Sequence, residues 1–237
     1  GLAKSVTIGV GQFCTNPGVV VGLDVDEFAG ALATQLGDVP PRTMLYPGIG
    51  ERYAAAVGDL ANTAGVALLT GEPTAGTPVC AKTTAAVFVA NDDLAGEVFG
   101  PSTLVVSCAD PAEMLDIARH LPGQLTATIH GEIEDPGDVE LAGRLVDALT
   151  DKVGRIVWNG FPTGVAVTHA MQHGGPYPAS TDSRTTSVGP AAMRRFLRPV
   201  SFQGLPAGLL PEPLQDENPS GRLRRLDGEW SRESLHR

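Results

Sequence analysis

Residues 103–158 read TLVVSCADPAEMLDIARHLPGQLTATIHGEIEDPGDVELAGRLVDALTDKVGRIVW, and this stretch decides the fold class. Three short apolar runs in it have the length and composition of buried strands: 103–107, 125–129 and 155–158. The two segments between them have the spacing of helices: 111–120 and 136–149. Strands that alternate with helices are typical of βαβ units. We therefore predict an α/β fold with a mostly parallel sheet and right-handed crossovers.

The N-terminal side of this stretch continues the alternation of strands and helices. Helices are predicted over 2–12, 25–36 and 50–63, and strands over 19–21, 66–69 and 83–90. Asp24 is the predicted N-cap of the second helix, and Gly65 is the predicted terminator of the third. The polar segment 91–96 is predicted to be a loop.

The C-terminal side is irregular. Residues 159–188 lose all periodicity and are rich in Gly, Pro, Thr and Ser, and a structureless stretch of that length is usually functional. A helix is predicted over 189–197 and a strand over 200–202, and the Pro-rich remainder is expected to wrap the surface. We predict two parts, a catalytic domain over 1–188 and a C-terminal arm over 189–237.

Composition excludes several classes of function. The net charge of −10, with 17 basic against 27 acidic residues, disfavours nucleic-acid binding. No apolar run approaches the roughly 20 residues that span a bilayer, so no membrane contact is expected. Three scattered cysteines fit neither a disulfide framework nor a zinc ribbon, which favours a reducing cytoplasm. The chain opens without Met on what resembles mid-domain sequence, which suggests a fragment.

Two segments could carry chemistry. GQFCT, residues 11–15, places Cys14 just after a glycine break between an apolar helix and a buried strand. On this segment alone a structural, buried Cys is the simpler interpretation, as we also expect of Cys80 and Cys108. EVFGP, residues 97–101, places a carboxylate and an aromatic ring on a loop before a strand. That loop could contact a ribose and a flat cofactor, or it could be solvated around a core Phe.

In this order, GQFCT and EVFGP resemble the aldehyde dehydrogenase superfamily. GRIVWNG, residues 154–160, resembles the strand and Asn that precede the family's substrate-anchoring loop. HGGPYPAST, residues 173–181, is similar to the NADP-dependent α-ketoglutaric semialdehyde dehydrogenases and their fatty-aldehyde relatives. The resemblance covers about residues 1–205.

This resemblance implies a role for each matching residue. Cys14 would attack an aldehyde to form a thiohemiacetal, and water would hydrolyse the thioester left after hydride transfer to a nicotinamide. Glu97 would bind the ribose and Phe99 would pack near the nicotinamide. The aldehyde path would be lined by four further residues: Phe13, Thr15, Phe161 and Tyr177. The resemblance also implies NADP (with NAD possible), a short dicarboxylic semialdehyde as substrate, and a homodimer or homotetramer.

The sequence departs from the family in what it lacks. Gly9-Val10-Gly11 and Gly48-Ile49-Gly50 begin like a dinucleotide fingerprint, but neither has the third Gly or a preceding strand. The family's Glu-Leu-Gly-Gly segment, which holds the general base, and the Asn of its oxyanion hole are also missing. We expect an N-terminal cofactor-binding half that was cut away or comes from another chain.

Three alternatives remain open. A Cys–His hydrolase would need His169 or His173 beside Cys14, with an Asn or Asp to orient it, whereas the dehydrogenase hypothesis predicts no histidine there. The H-x-x-x-H spacing of these two histidines fits metal ligands, but loop packing is preferred because glycines follow at once. The chain could also be a folded scaffold with no turnover of its own.

Overall fold

A computed structural model of the chain describes residues 1–235, so His236 and Arg237 lie outside the description. The chain divides into two compact units, Gly1–Arg195 and Phe196–Arg237. Among the described residues no helix is long and apolar enough to cross a membrane.

The first unit alternates helices and strands. Its helices are α1 (Leu2–Thr7), α2 (Asp26–Gly37), α3 (Pro47–Asn62), α4 (Ala85–Val89), α5 (Pro111–His120) and α6 (Pro136–Thr150). Its strands are β1 (Val19–Leu23), β2 (Ala67–Thr70), β3 (Val79–Thr84), β4 (Ser102–Cys108), β5 (Gln124–Ile129) and β6 (Val153–Trp158).

The strands form two sheets. The larger sheet has the order β1-β4-β3-β2, in which β4 is parallel to both of its neighbours and β2 is antiparallel to β3. In the smaller sheet β5 and β6 are parallel. The predicted α/β class with parallel βαβ units is thereby confirmed. Asp110 and Asp135 start helices α5 and α6, because each carboxylate accepts two backbone N–H bonds of the first turn.

The core lies on both faces of the larger sheet. Strand β4 is its centre, and six of its seven residues are buried. Leu36 of α2 packs with Val105 on one face, and Phe88 of α4 packs with Leu104 and Ile117 on the other. Parallel strands with helices on both sides are buried in this way, which is why the middle of β4, residues 104–106, is apolar on both faces.

Four local predictions are wrong. Residues 83–90 are not one strand, because β3 ends at Thr84, whose hydroxyl accepts the Val87 N–H and starts α4. Asp24 does not cap α2, since its backbone is left-handed and Val25 holds the cap position. Residues 91–96 contain a short 3-10 helix, Asp92–Ala95. No strand forms over 200–202 in the described chain.

The second unit carries a small hairpin, β7 (Arg224–Leu226) and β8 (Glu229–Ser231), whose strands are antiparallel. The Arg224 guanidinium donates hydrogen bonds to the backbone carbonyls of Gln215, Asp216 and Glu233. The structure ends the first unit at Arg195, whereas the sequence analysis drew its boundary at 188.

A tight turn after α1 positions the candidate nucleophile. Gly9, Val10 and Gly11 all have positive φ angles, a conformation that glycine adopts without strain and valine does not. A methyl group on Gly11 would overlap the backbone of Gly100 and Pro101. The side-chain amide of Asn16 donates to the Gly100 carbonyl at 3.0 Å. The turn is therefore packed directly on the residues that precede β4.

We predict that Gly11→Ala lowers the free energy of unfolding by about 2 kcal/mol or more, because it adds both a clash and backbone strain. Gly18→Ala is the matched control, since nothing lies within 4 Å of a methyl group at that position. The control should stay within about 0.5 kcal/mol of the parent chain. Urea unfolding followed by circular dichroism measures both, and equal stabilities would contradict this account of the turn.

Candidate active site

Cys14 is held in place by its neighbours on both sides. The Gln12 side chain donates to the Gly9 carbonyl at 3.0 Å and accepts the Leu45 N–H at 2.9 Å, which closes the turn before the cysteine. On the other side Thr15 is buried, and its carbonyl lies 3.4 Å from the Thr163 hydroxyl. Cys14 itself is an exposed free thiol between these two anchors.

A single open cleft collects most of the predicted site residues. We call it the nucleophile cleft, and it is lined by Cys14, Thr15, Glu97, Phe99 and Phe161 among others. Glu97 and Phe99 reach it because the turn before Cys14 packs on the Gly100–Pro101 backbone that follows them. All five residues line this extended cleft, while the role of each stays a prediction.

Two predicted pocket residues do not line this cleft. The Phe13 ring lies over Gly9, on the turn itself. Tyr177 is 82% exposed on the surface. Phe13 and Tyr177 belong to the two motifs that carry the resemblance, but neither ring lines the cleft on which Cys14 lies.

His173 contacts the candidate nucleophile. Its Nε2 atom lies 3.2 Å from the Cys14 Sγ. The residue is 9% exposed, its backbone N–H donates to the Thr186 hydroxyl at 2.8 Å, and its carbonyl accepts the Ser187 N–H. The expectation that no histidine approaches Cys14 is wrong.

Glycines explain how this histidine reaches the thiol. A methyl group on Gly154 of β6 would overlap the Gly174 carbonyl, and one on Gly175 would overlap the Gln124 carbonyl. The backbone after His173 therefore lies directly on the start of the smaller sheet. The glycines after His173 were taken in the sequence only as a reason to prefer loop packing over metal binding, whereas in the structure Gly175 allows close packing on the smaller sheet.

The pKa values of two groups at the site are shifted. Burial lowers the pKa of His173, and the positive charge of Arg155 lowers it further. Burial also lowers the pKa of Arg155, and the negative charge of a Cys14 thiolate opposes that shift. The imidazole is therefore neutral near pH 7, and its Nε2 can accept the thiol proton.

The same geometry bears on two alternatives from the sequence, a Cys–His hydrolase and a metal site. The Nδ1 atom of His173 is buried and has no hydrogen-bond partner among the described residues, so the orienting Asn or Asp of a Cys–His hydrolase is not seen there. His169 is exposed. Across residues 1–235 no group of three or more His, Cys, Asp or Glu side chains could hold a metal ion.

Cys80 and Cys108 differ from Cys14. Both lie in buried strands, and burial raises the pKa of each thiol to about 11, with Glu113 and Asp110 adding to the effect at Cys108. At pH 7.5 fewer than about one in a thousand of these thiols is ionised, and neither is accessible.

We therefore predict that iodoacetamide at pH 7.5 alkylates Cys14 at least about tenfold faster than Cys80 or Cys108 in the folded chain. Peptide mapping by mass spectrometry measures the three rates. In urea the three thiols should react at similar rates, which serves as the control. Faster labelling of Cys80 or Cys108 in the native chain would overturn this view of the site.

Comparisons with known proteins find relatives of the chain. No protein-family model matches it. It is 44% identical over 236 residues to an α-ketoglutaric semialdehyde dehydrogenase of Azospirillum brasilense, an alignment that covers 96% of this chain and 44% of the relative. It is 40% identical over 233 residues to the α-ketoglutaric semialdehyde dehydrogenase of Acinetobacter baylyi, covering 94% of this chain and 44% of that relative.

A solved structure shares the fold. The salicylaldehyde dehydrogenase of Pseudomonas putida G7 superposes with a TM-score of 0.64 at 19% identity, over 85% of this chain and 44% of that one. These similarities confirm the resemblance to aldehyde dehydrogenases found in the sequence. The chain is similar to α-ketoglutaric semialdehyde dehydrogenases in particular, and it spans less than half the length of the two relatives named here.

Proposed function

We propose that this chain supplies the nucleophile of an NAD(P)-dependent aldehyde oxidation that yields a carboxylate. The observation that carries the proposal is the exposed Cys14 thiol on the nucleophile cleft, which Glu97 and Phe99 also line. The 44% identity to an α-ketoglutaric semialdehyde dehydrogenase supports the same reaction class. The His173 Nε2, 3.2 Å from the Cys14 Sγ, adds a proton acceptor that the dehydrogenase hypothesis did not predict.

The chemistry begins with proton transfer. The Cys14 S–H proton moves to the Nε2 of the neutral His173, and the sulfur adds to the aldehyde carbonyl to give a thiohemiacetal. The backbone N–H of Cys14 would donate to the oxyanion. Hydride loss leaves a thioester on Cys14, and attack by water releases the carboxylic acid and the thiol.

Glu97 and Phe99 are the residues that would hold the nicotinamide end of a dinucleotide. Both are exposed on the cleft that Cys14 lines, so a carboxylate and a ring are available for a ribose and a flat heterocycle. When bound, the dinucleotide supplies the hydride acceptor. We favour NADP, with NAD possible, because the 173–181 segment is similar to NADP-dependent relatives.

The substrate proposal is a short semialdehyde such as α-ketoglutaric semialdehyde. Both curated relatives named above are α-ketoglutaric semialdehyde dehydrogenases. We further propose that a cofactor-binding half, with the general base for thioester hydrolysis, is supplied by a separate segment or chain. Without that half, the isolated chain would be a folded scaffold with little turnover.

Assembly and location complete the proposal. The second unit exposes large apolar side chains, with Phe196 at 84% and Trp230 at 67%, and such surface is typical of subunit contacts. We propose a homo-oligomer. Free thiols at all three cysteines of the chain fit a cytoplasmic location.

The test is a chimera in which this chain replaces the 236 matched residues of the Azospirillum enzyme. We expect it to form NADPH or NADH in the presence of α-ketoglutaric semialdehyde. Cys14→Ala should lower kcat by about 1000-fold or more with an unchanged unfolding temperature, because the nucleophile is lost and no core residue is touched.

Cys108→Ala is the control, since that thiol is buried away from the cleft, and it should keep the parent activity. Turnover by Cys14→Ala at the parent rate would refute the mechanism. A stable, soluble chimera with no aldehyde-dependent reduction would instead favour the scaffold alternative.

A further inference from the structure

Arg155 lies on β6 next to the site and has three hydrogen-bond acceptors. Its Nε donates to the Thr126 hydroxyl at 3.3 Å, one terminal nitrogen donates to the Gly164 carbonyl at 3.1 Å, and the other donates to the Pro162 carbonyl. The guanidinium therefore closes the irregular segment 162–164 onto the smaller sheet at both ends. A planar fork with fixed donors suits such a clamp better than a flexible ammonium group.

Thr163 lies between the two clamped carbonyls and faces the nucleophile's turn. The Ser5 and Thr163 hydroxyl oxygens are 2.8 Å apart. The Thr163 hydroxyl also lies 3.2 Å from the Ser5 carbonyl and 3.4 Å from the Thr15 carbonyl, next to Cys14. Arg155 is thus connected to the Cys14 turn through one loop residue.

The charge of Arg155 is not cancelled by an acid. Its three acceptors are two carbonyls and a hydroxyl, and no carboxylate forms a salt bridge with it in the part of the chain that the structure describes. Because no bound anion neutralises it, the positive charge of Arg155 acts on both Cys14 and His173.

We propose that Arg155 is a positioning residue for the reaction, because its fork holds 162–164 against the Cys14 turn. The positive charge at the same place supports this role, since it favours the neutral form of His173 that takes the thiol proton. This inference rests on the proposed function. The step it supports breaks the Cys14 S–H bond and forms an N–H bond on His173, with no change in net charge.

The sign of the pH effect follows from the groups around His173. Among residues 1–235 the titratable groups that face this ring are the Cys14 thiol and the Arg155 guanidinium, and the Thr186 and Ser187 contacts are uncharged. Arg155 lowers the pKa of His173, so its removal raises that pKa. More of the imidazole is then protonated at pH 6–7 and cannot accept a proton.

Three variants separate the clamp from the charge. Arg155→Gln removes both, Arg155→Lys keeps the charge but loses the fork, and Thr163→Val removes the link to the turn while keeping the side-chain shape. Arg144→Gln, on an exposed position of α6, is the control for the loss of one positive charge. Each is made in the Azospirillum chimera, for kcat against pH, and in the chain alone, for the His173 titration by NMR.

We expect Arg155→Gln to lower kcat by about 10- to 100-fold and to move the acidic limb of the kcat profile and the His173 titration to higher pH. Arg155→Lys and Thr163→Val should lower kcat by about tenfold with the His173 titration unmoved. Arg144→Gln should match the parent in both measurements.

The proposal is overturned if Arg155→Gln and Arg144→Gln have the same kcat and the same His173 pKa. A His173 titration that moves equally in the Lys and Gln variants would also overturn it, because charge would then not be the cause. If Arg155→Gln fails to fold, Arg155→Lys and Thr163→Val decide through their loss of kcat. An inactive parent chimera would count against the proposed function, whereas the NMR titration would still test Arg155.

Discussion

The close approach of the Gly11 backbone to Gly100 and Pro101 is the constraint on which the site depends. Only a turn with left-handed residues can bring the chain that near to the start of β4, and the Asn16 amide bonds fix it there. As a result Cys14 stands next to the loop that carries Glu97 and Phe99. Two segments that are far apart in sequence line the same cleft because one backbone is packed on the other.

A second close approach completes the site from the other side. Gly154 and Gly175 let the backbone after His173 lie on the smaller sheet, and this places the imidazole on the thiol. Burial and the Arg155 charge both lower the pKa of His173. Cys14, His173 and Arg155, to which we assign the roles of nucleophile, proton acceptor and positioning residue, thus come from three segments held by backbone packing.

Much of the fold could be predicted from the sequence. The helices α5 and α6 and the strands β4, β5 and β6 followed from periodicity, because apolar spacing reports which face is buried. Residues 85–89 were misassigned because valines suggested a strand, while the Thr84 cap and the alanines favoured a helix. The contact between Cys14 and His173 could not be predicted, since it joins residues 159 positions apart and no local pattern encodes a distance. The pair of glycines after His173 was the available signal, and close backbone packing is its physical meaning.

We propose that Cys14 is a nucleophile whose proton passes to His173, in a chain that is similar to α-ketoglutaric semialdehyde dehydrogenases. The most direct measurement is a single-turnover reaction of the Azospirillum chimera with α-ketoglutaric semialdehyde, quenched in acid at successive times and mapped by mass spectrometry. The account predicts a transient acyl group on the Cys14 peptide that rises with the reduced cofactor and decays as the acid product forms. Product formation with Cys14 unmodified at every quench time, or with the acyl group on another residue, would contradict it.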